Sequence, residues 1–96
     1  MEPMERLLFW LLEGTRGGHT RARLLSLLMK KPRNMRQLAL ASKLDYKTVQ
    51  YHVEMLEKNS LLEKSGGKYG GIYFVSELLL AQKKYVKMIK GDSNES

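Results

Sequence analysis

Within six positions the chain places Lys47, Thr48, Gln50, Tyr51 and His52. A cation, a hydroxyl, an amide, a phenol and an imidazole offer hydrogen-bond donors and acceptors in several geometries. Such a set suits recognition of a surface that is both anionic and patterned with hydrogen-bonding groups. Lysines alone would supply only charge. It does not suit catalysis, because no nucleophile–base–acid set, metal cluster or nucleotide loop accompanies it. The chain has two histidines, His19 and His52, and no cysteine. Thiolate metal sites, disulfides and thiol redox switching are therefore excluded together. "GTRGG", Gly14 to Gly18, lacks the Lys-Ser/Thr ending of a phosphate loop, and no strand pattern precedes it. It reads as a helix stop and a tight corner. No enzymatic activity, cofactor or metal is expected.

Charge points the same way. The net charge is +7 over 96 residues. From Arg16 to Val53 nine Lys or Arg stand against one acid, Asp45, which makes that segment +8 and leaves the rest at −1. A concentrated basic segment is the electrostatic footprint of a polyanionic partner. Hydrophobic residues at 43% and charged residues at 28% are an ordinary globular balance for one domain. The apolar run Leu7 to Leu12 is far short of the ~20 residues of a membrane span. It has acids at both ends rather than the basic start of a signal peptide. A cytoplasmic location and no membrane partner are expected.

The elements that must position the five residues follow from the pattern. Pro3 opens a first helix running to about Glu13, apolar around most of its circumference. Such a helix must be buried on more than one side, so it is expected to be shared between two subunits, the alternative being an unusually enclosed core helix. A second helix covers about Thr20 to Lys31, with Leu24, Leu25 and Leu28 at helical spacing and Pro32 as its stop. Asn34 and Gln37 resemble a capping box for a third helix ending near Ser42. After the turn Lys43–Asp45, Asp45 caps a fourth helix to about Lys58, with Asn59 as a left-handed stop. Two strands, Leu61 to Ser65 and Ile72 to Val75, flank a glycine-rich tip at Lys68-Tyr69. Ser76 caps a last helix to about Lys90, and residues 91–96 read as a disordered polar tail.

On a helical wheel at about 100° per residue, Val53 and Leu56 fall within about 40° of Val49 and form the buried stripe. Lys47 and Tyr51 lie opposite, flanked by Thr48 and Gln50. A helix has the width of the major groove of duplex DNA. A second helix joined by a short turn can brace it across the backbone. The hairpin, with Lys64 and Lys68 on or near its tip, supplies a second contact. Tyr51 has a blander reading as a surface aromatic packed on the hairpin. Tyr69 and Tyr73 read as hairpin packing, since bases in a duplex are not exposed for stacking.

"QLALASKLDYKTVQYHVEMLEKNSLLEKSGGKYGGIYFVS" resembles a winged helix-turn-helix of the ArsR-like class, in its Q-L-A, T-V-x-x-H-V and L-E-x-x-x-L-L elements. With the "GTRGG" corner it is most similar to the small archaeal regulators of that class. The resemblance implies a mainly α fold with a small β-hairpin and extra N- and C-terminal helices. It implies a sequence-specific, double-stranded DNA-binding transcriptional regulator acting as a homodimer. Carried over by position, Lys47, Thr48, Gln50 and Tyr51 read bases. Arg36 joins the DNA-binding set, His52 sits at the helix edge within reach of a phosphate, and Lys64 and Lys68 serve the wing. Leu7, Leu8, Leu11, Leu78, Tyr85 and Ile89 would form the dimer contact. The expected division is 1–14 for dimerisation, 15–76 for DNA binding, 77–90 for dimerisation and 91–96 for the tail. Many ArsR-type members sense metals through cysteines, so metal sensing is not carried over. A winged helix docking on the transcription machinery, with weak non-specific DNA binding, is the alternative.

Overall fold

The computed structural model describes residues 2–66 and 71–93. Among these, the order is α1 (Pro3–Leu12), α2 (Gly18–Lys30), α3 (Met35–Ser42), α4 (Tyr46–Lys58), β1 (Leu62–Ser65), β2 (Ile72–Val75), α5 (Glu77–Leu80) and α6 (Lys83–Ser93). The fold is mainly helical with one antiparallel hairpin. The core is leucine-rich. Leu24, Leu25 and Leu28 of α2 are buried with Leu8 and Leu11 of α1, Leu38 of α3, Val49, Val53 and Leu56 of α4, and Tyr85 and Ile89 of α6. The terminal helices thus share one core with the middle of the chain.

Local chemistry sets most of the boundaries. Pro3 begins α1, where its missing N–H costs nothing. The backbone amides of Glu13 and Gly14 both donate to the Phe9 carbonyl at 2.8 Å and close that helix. The α2 helix starts at Gly18, two residues before the expected Thr20. A Cβ on Gly18 would lie 2.6 Å from the Leu12 carbonyl carbon. The end of α1 and the start of α2 therefore meet backbone to backbone, a contact only glycine permits. The capping box of α3 is complete: Gln37 N donates to Asn34 Oδ1 and Asn34 N to Gln37 Oε1, both at 2.8 Å. At the end of α4 the left-handed residue is Ser60, φ 65°, not Asn59. Asn59 instead donates from Nδ2 to the Met55 carbonyl at 2.9 Å and caps the last turn with its side chain.

The hairpin pairs Leu62 with Val75 and Lys64 with Tyr73. A further rung was not visible in the sequence. Arg33, in the α2–α3 connection, donates to the Tyr73 carbonyl at 3.1 Å and accepts from the Tyr73 amide at 2.8 Å. This ties the hairpin to the start of the helix pair. The Ser76 hydroxyl bonds the Ser60 carbonyl at 2.7 Å and accepts from Leu79 N at 3.1 Å, fixing the hairpin's exit.

Two expectations are corrected. The C-terminal helix is not continuous, because Ala81 and Gln82 separate α5 from α6. An uninterrupted helix would turn Tyr85 about 120° away from Leu79, yet both are buried, at 2% and 0% exposure. The break brings both to the core. The tail is not disordered from residue 91, since α6 continues to Ser93. Residues 94–96 lie outside the described residues.

These two features make a paired prediction. Gly18→Ala should destabilise the chain by about 1–3 kcal/mol, since backbone atoms must move. Gly91→Ala, with open space around it, should stabilise by about 0.5 kcal/mol as a helix gains a better former. Urea unfolding of the two variants checks both signs.

Candidate nucleic-acid interface

The α3–α4 pair is joined by a turn whose φ at Lys43 is 62°. The guanidinium of Arg23 donates to the Ser42 carbonyl at 2.6 Å, and the Ser42 hydroxyl to the Ala39 carbonyl at 3.2 Å. Both bonds fix the C-terminal end of α3. Asp45 opens α4: Thr48 N donates to its Oδ2 at 3.0 Å and Thr48 Oγ1 to its Oδ1 at 2.6 Å. These bonds, the hydroxyl's first, hold the Asp45 carboxyl below the usual carboxylate range.

On this support Lys47, Tyr51, Glu54 and Lys58 are exposed, while Thr48 and Gln50 are half-buried. Tyr51 is 58% exposed, with its ring edge-on to His52 at 5.1 Å between centroids. Val49, Val53 and Leu56 are buried, so the wheel places both faces. The hydroxyl proton of Thr48 is committed to Asp45, which leaves that side chain as an acceptor towards a partner. Arg36 is exposed on the first turn of α3. Lys64 is exposed on β1, but its stem runs along Gly71 and its ammonium lies 5.7 Å from the Tyr73 ring centroid. It lies along the hairpin rather than beyond it. Lys68 falls outside the described residues.

Some expected site residues have other surroundings. His52 is 8% exposed; it is not a surface side chain, because it falls beside the buried stripe. Its Nδ1 lies 3.2 Å from Nη1 of Arg21. Of the expected dimer residues, Leu8, Leu11, Tyr85 and Ile89 are wholly or nearly wholly enclosed by their own chain. They have no surface to offer a second copy, because α2 already covers them. Leu7 is half-buried and Leu78 is 46% exposed. The apolar surface left on α1 belongs to Phe9 and Trp10, at 48% and 52% exposure.

The sequence reading passed over two residues. Tyr46, 52% exposed, falls near the buried stripe on the wheel but sits where the first turn of α4 is uncovered. Arg21 counted only as charge. Its signal was position: residues 21, 24, 25 and 28 are one helical face, so an arginine heads an apolar stripe. It is 3% exposed, and its Nε donates to the Leu11 carbonyl at 2.7 Å. Arg33 likewise turns inward, to the Leu27 carbonyl. Arg16, Lys30, Lys31, Arg36, Lys43 and Lys47 remain exposed within the basic segment.

No protein-family model matches the chain, and a comparison with curated protein sequences finds no match. Solved structures do match. A probable transcriptional regulator from Pseudomonas aeruginosa superposes with a TM-score of 0.68 at 20% identity, covering 96% of this chain and 74% of that one. The homodimeric winged helix-turn-helix DNA-binding domain of a possible ArsR-family regulator from Mycobacterium bovis gives 0.66 at 17%, covering 96% and 88%. The adhesin competence repressor of Streptococcus pyogenes gives 0.68 at 18%, covering 98% and 75%. The fold is a winged helix-turn-helix with additional helices at both ends. Among the described residues no helix is long and apolar enough to cross a membrane, and no group of three or more His, Cys, Asp or Glu could hold a metal ion.

Burial, and then the neighbouring Arg21 cation, push the His52 imidazole below its ordinary value. Its contribution to stability is then complete above about pH 6.5, the unfolded value, and is lost as pH falls through the lower folded value. Melting temperature should therefore decline between pH 7.5 and 5.5 more steeply in the wild type than in His52→Asn, which cannot titrate. Parallel slopes in thermal scans would contradict a buried neutral imidazole.

Proposed function

We propose that the chain is a sequence-specific double-stranded DNA-binding transcriptional regulator of the ArsR-like class. It acts in the cytoplasm as a homodimer, with α4 in the major groove and the β1–β2 hairpin on the backbone. The observation that carries this reading is the exposed polar face on the first turns of α4. Lys47 and Tyr51 stand out from a helix whose opposite side is core, beside Thr48 and Gln50. These groups address base edges, while Arg36, Lys43 and the other exposed cations address phosphates. The winged helix fold and the regulators that share it support the same reading.

A second copy fits the apolar remainder of α1. The homodimeric M. bovis domain shares this fold, and Phe9 and Trp10 leave about half their surface uncovered. Leu40, 71% exposed on α3, favours one other reading, a winged helix docking on a protein with weak, non-specific DNA binding.

Selection of bound sequences from random duplexes, followed by titration, separates the two. For a reader of DNA, affinity for the selected site should fall by roughly 10³ between 50 and 200 mM salt. Gln50→Ala and Tyr51→Ala should reduce discrimination between the selected and random duplexes by about 1–3 kcal/mol. Arg36→Ala should weaken both duplexes alike and lower the salt slope by about one per site. Equal losses on both duplexes for Gln50→Ala and Tyr51→Ala would favour docking.

The dimer has its own test. Sedimentation at tens of micromolar should show dimers for the wild type and folded monomers for Phe9→Glu, because that ring is half exposed. Leu8→Glu should instead unfold the chain, because Leu8 is fully buried. Monomeric wild-type protein at that concentration would remove the homodimer.

A further inference from the structure

Arg21 bonds three elements at once. Its Nε donates to the Leu11 carbonyl in the last turn of α1. Its Nη2 donates to Thr15 Oγ1 in the corner, and its Nη1 lies 3.2 Å from His52 Nδ1 on α4. No basic residue occupies the last turn of α1, so Arg21 supplies from α2 the cation that a helix C-terminus favours. A guanidinium has only donors. His52 Nδ1 must therefore be the acceptor, with the ring proton on Nε2. The corner is closed tightly over this pair: a Cβ on Gly17 would lie 2.6 Å from Arg21 Nη1 and 2.8 Å from His52 Cε1.

Among the described residues, the groups around His52 offer nothing to balance a second charge. Arg21 faces it from α2 and the Tyr51 ring from α4. Arg16 at the corner lines the same groove, of about 440 Å³, together with Trp10 of α1 and Met55 of α4; among the described residues no carboxylate lines it. A proton on Nδ1 would remove the acceptor and set two largely buried cations 3.2 Å apart.

We propose that Arg21 is a positioning residue for α4, holding it to α1 and the corner through neutral His52, and that a proton on His52 releases it. This rests on the reading of α4 as the DNA-contacting helix. Its consequence runs against simple electrostatics. A proton added near DNA would by charge alone strengthen binding. Here protonation weakens binding, because α4 loses its tie.

Two measurements on the full chain test the proposal. The first follows the imidazole and backbone amide NMR signals of the wild type from pH 8 to 5, without DNA. The His52 midpoint should lie below 6.5, with amides of α4, Thr15 and Leu12 shifting in step. A midpoint above 6.5, or shifts confined to residues next to His52, overturns the proposal. The second measures affinity for the selected duplex over the same range, for the wild type, His52→Asn and Arg21→Lys, each relative to its own value at pH 8. The wild type should weaken by about tenfold for each unit by which DNA lowers the His52 midpoint. The other two should lack that component, since one has no titrating ring and the other no Nη1 facing it. Identical profiles for wild type and His52→Asn, or tighter wild-type binding at low pH, overturn it. A wild type that binds no duplex at any pH would remove the DNA reading, and the NMR titration would still decide whether the tie responds to a proton.

Discussion

A buried guanidinium must have its donors met, and much of this fold follows from meeting those of Arg21. An unpartnered charge inside a protein costs several kcal/mol. Arg21 is 3% exposed, so acceptors have to come to it. The Leu11 carbonyl comes from the last turn of α1. The Thr15 hydroxyl comes from the corner, and His52 from α4. Glycine at positions 17 and 18 lets these pieces close to their observed distances. The "GTRGG" stretch is thus a packing device around a cation as much as a turn. It sets the angle at which α1 leaves α2 and the flank against which α4 lies.

The basic segment divides by the same logic. Nine cations between Arg16 and Val53 looked like one uniform footprint. Arg21, Arg23 and Arg33 bond backbone carbonyls of Leu11, Ser42 and Leu27. They act as anchors and offer little charge to a ligand. All three are arginine, whose planar fork meets carbonyls in fixed geometry, whereas the segment's lysines are all exposed. The surface that faces a partner is consequently less basic than composition implies. What remains is still mainly positive near the α3–α4 turn, where Arg36, Lys43 and Lys47 stand out beside the exposed Asp45. On the proposed function, specificity would then depend more on Gln50 and Tyr51 than on the amount of charge.

How much was legible in the sequence tracks the range of the interaction involved. The capping box at Asn34 and Gln37, the Asp45 cap and the Lys43–Asp45 turn all rest on contacts within a few residues, and each reads directly from residue type; the Ile72–Val75 strand reads from its own apolar run between turn signals. The buried stripe of α4 and its exposed face follow from periodicity, which is also local. The rest depends on partners far along the chain. Arg21 and His52 are 31 residues apart, and the Arg33–Tyr73 rung spans a similar distance. The break at Ala81–Gln82 arises because Leu79 and Tyr85 must face one core, and an apolar pattern alone does not say where that core is. For the same reason an all-round apolar α1 could not reveal its cover. Periodicity counts apolar faces, but whether α2 or a second chain meets Leu8 is decided only by the path of the chain.

That path joins the two surfaces the proposed function needs. Phe9 and Trp10 lie on α1, one turn or less from the carbonyl that Arg21 holds. Tyr51 lies on α4, next to the imidazole that Arg21 holds. A second copy seated on α1 would place the two α4 helices about a two-fold axis, and duplex DNA presents successive major grooves roughly 34 Å apart. The angle between α1 and α4 within one chain then sets that spacing between chains. A small rotation at Arg21 is magnified by the distance from the two-fold axis to the reading residues. Rigid contact at the corner is therefore worth more than its local energy implies. Gly18, whose Cβ would meet the Leu12 backbone, and an arginine bonded on three sides hold that angle.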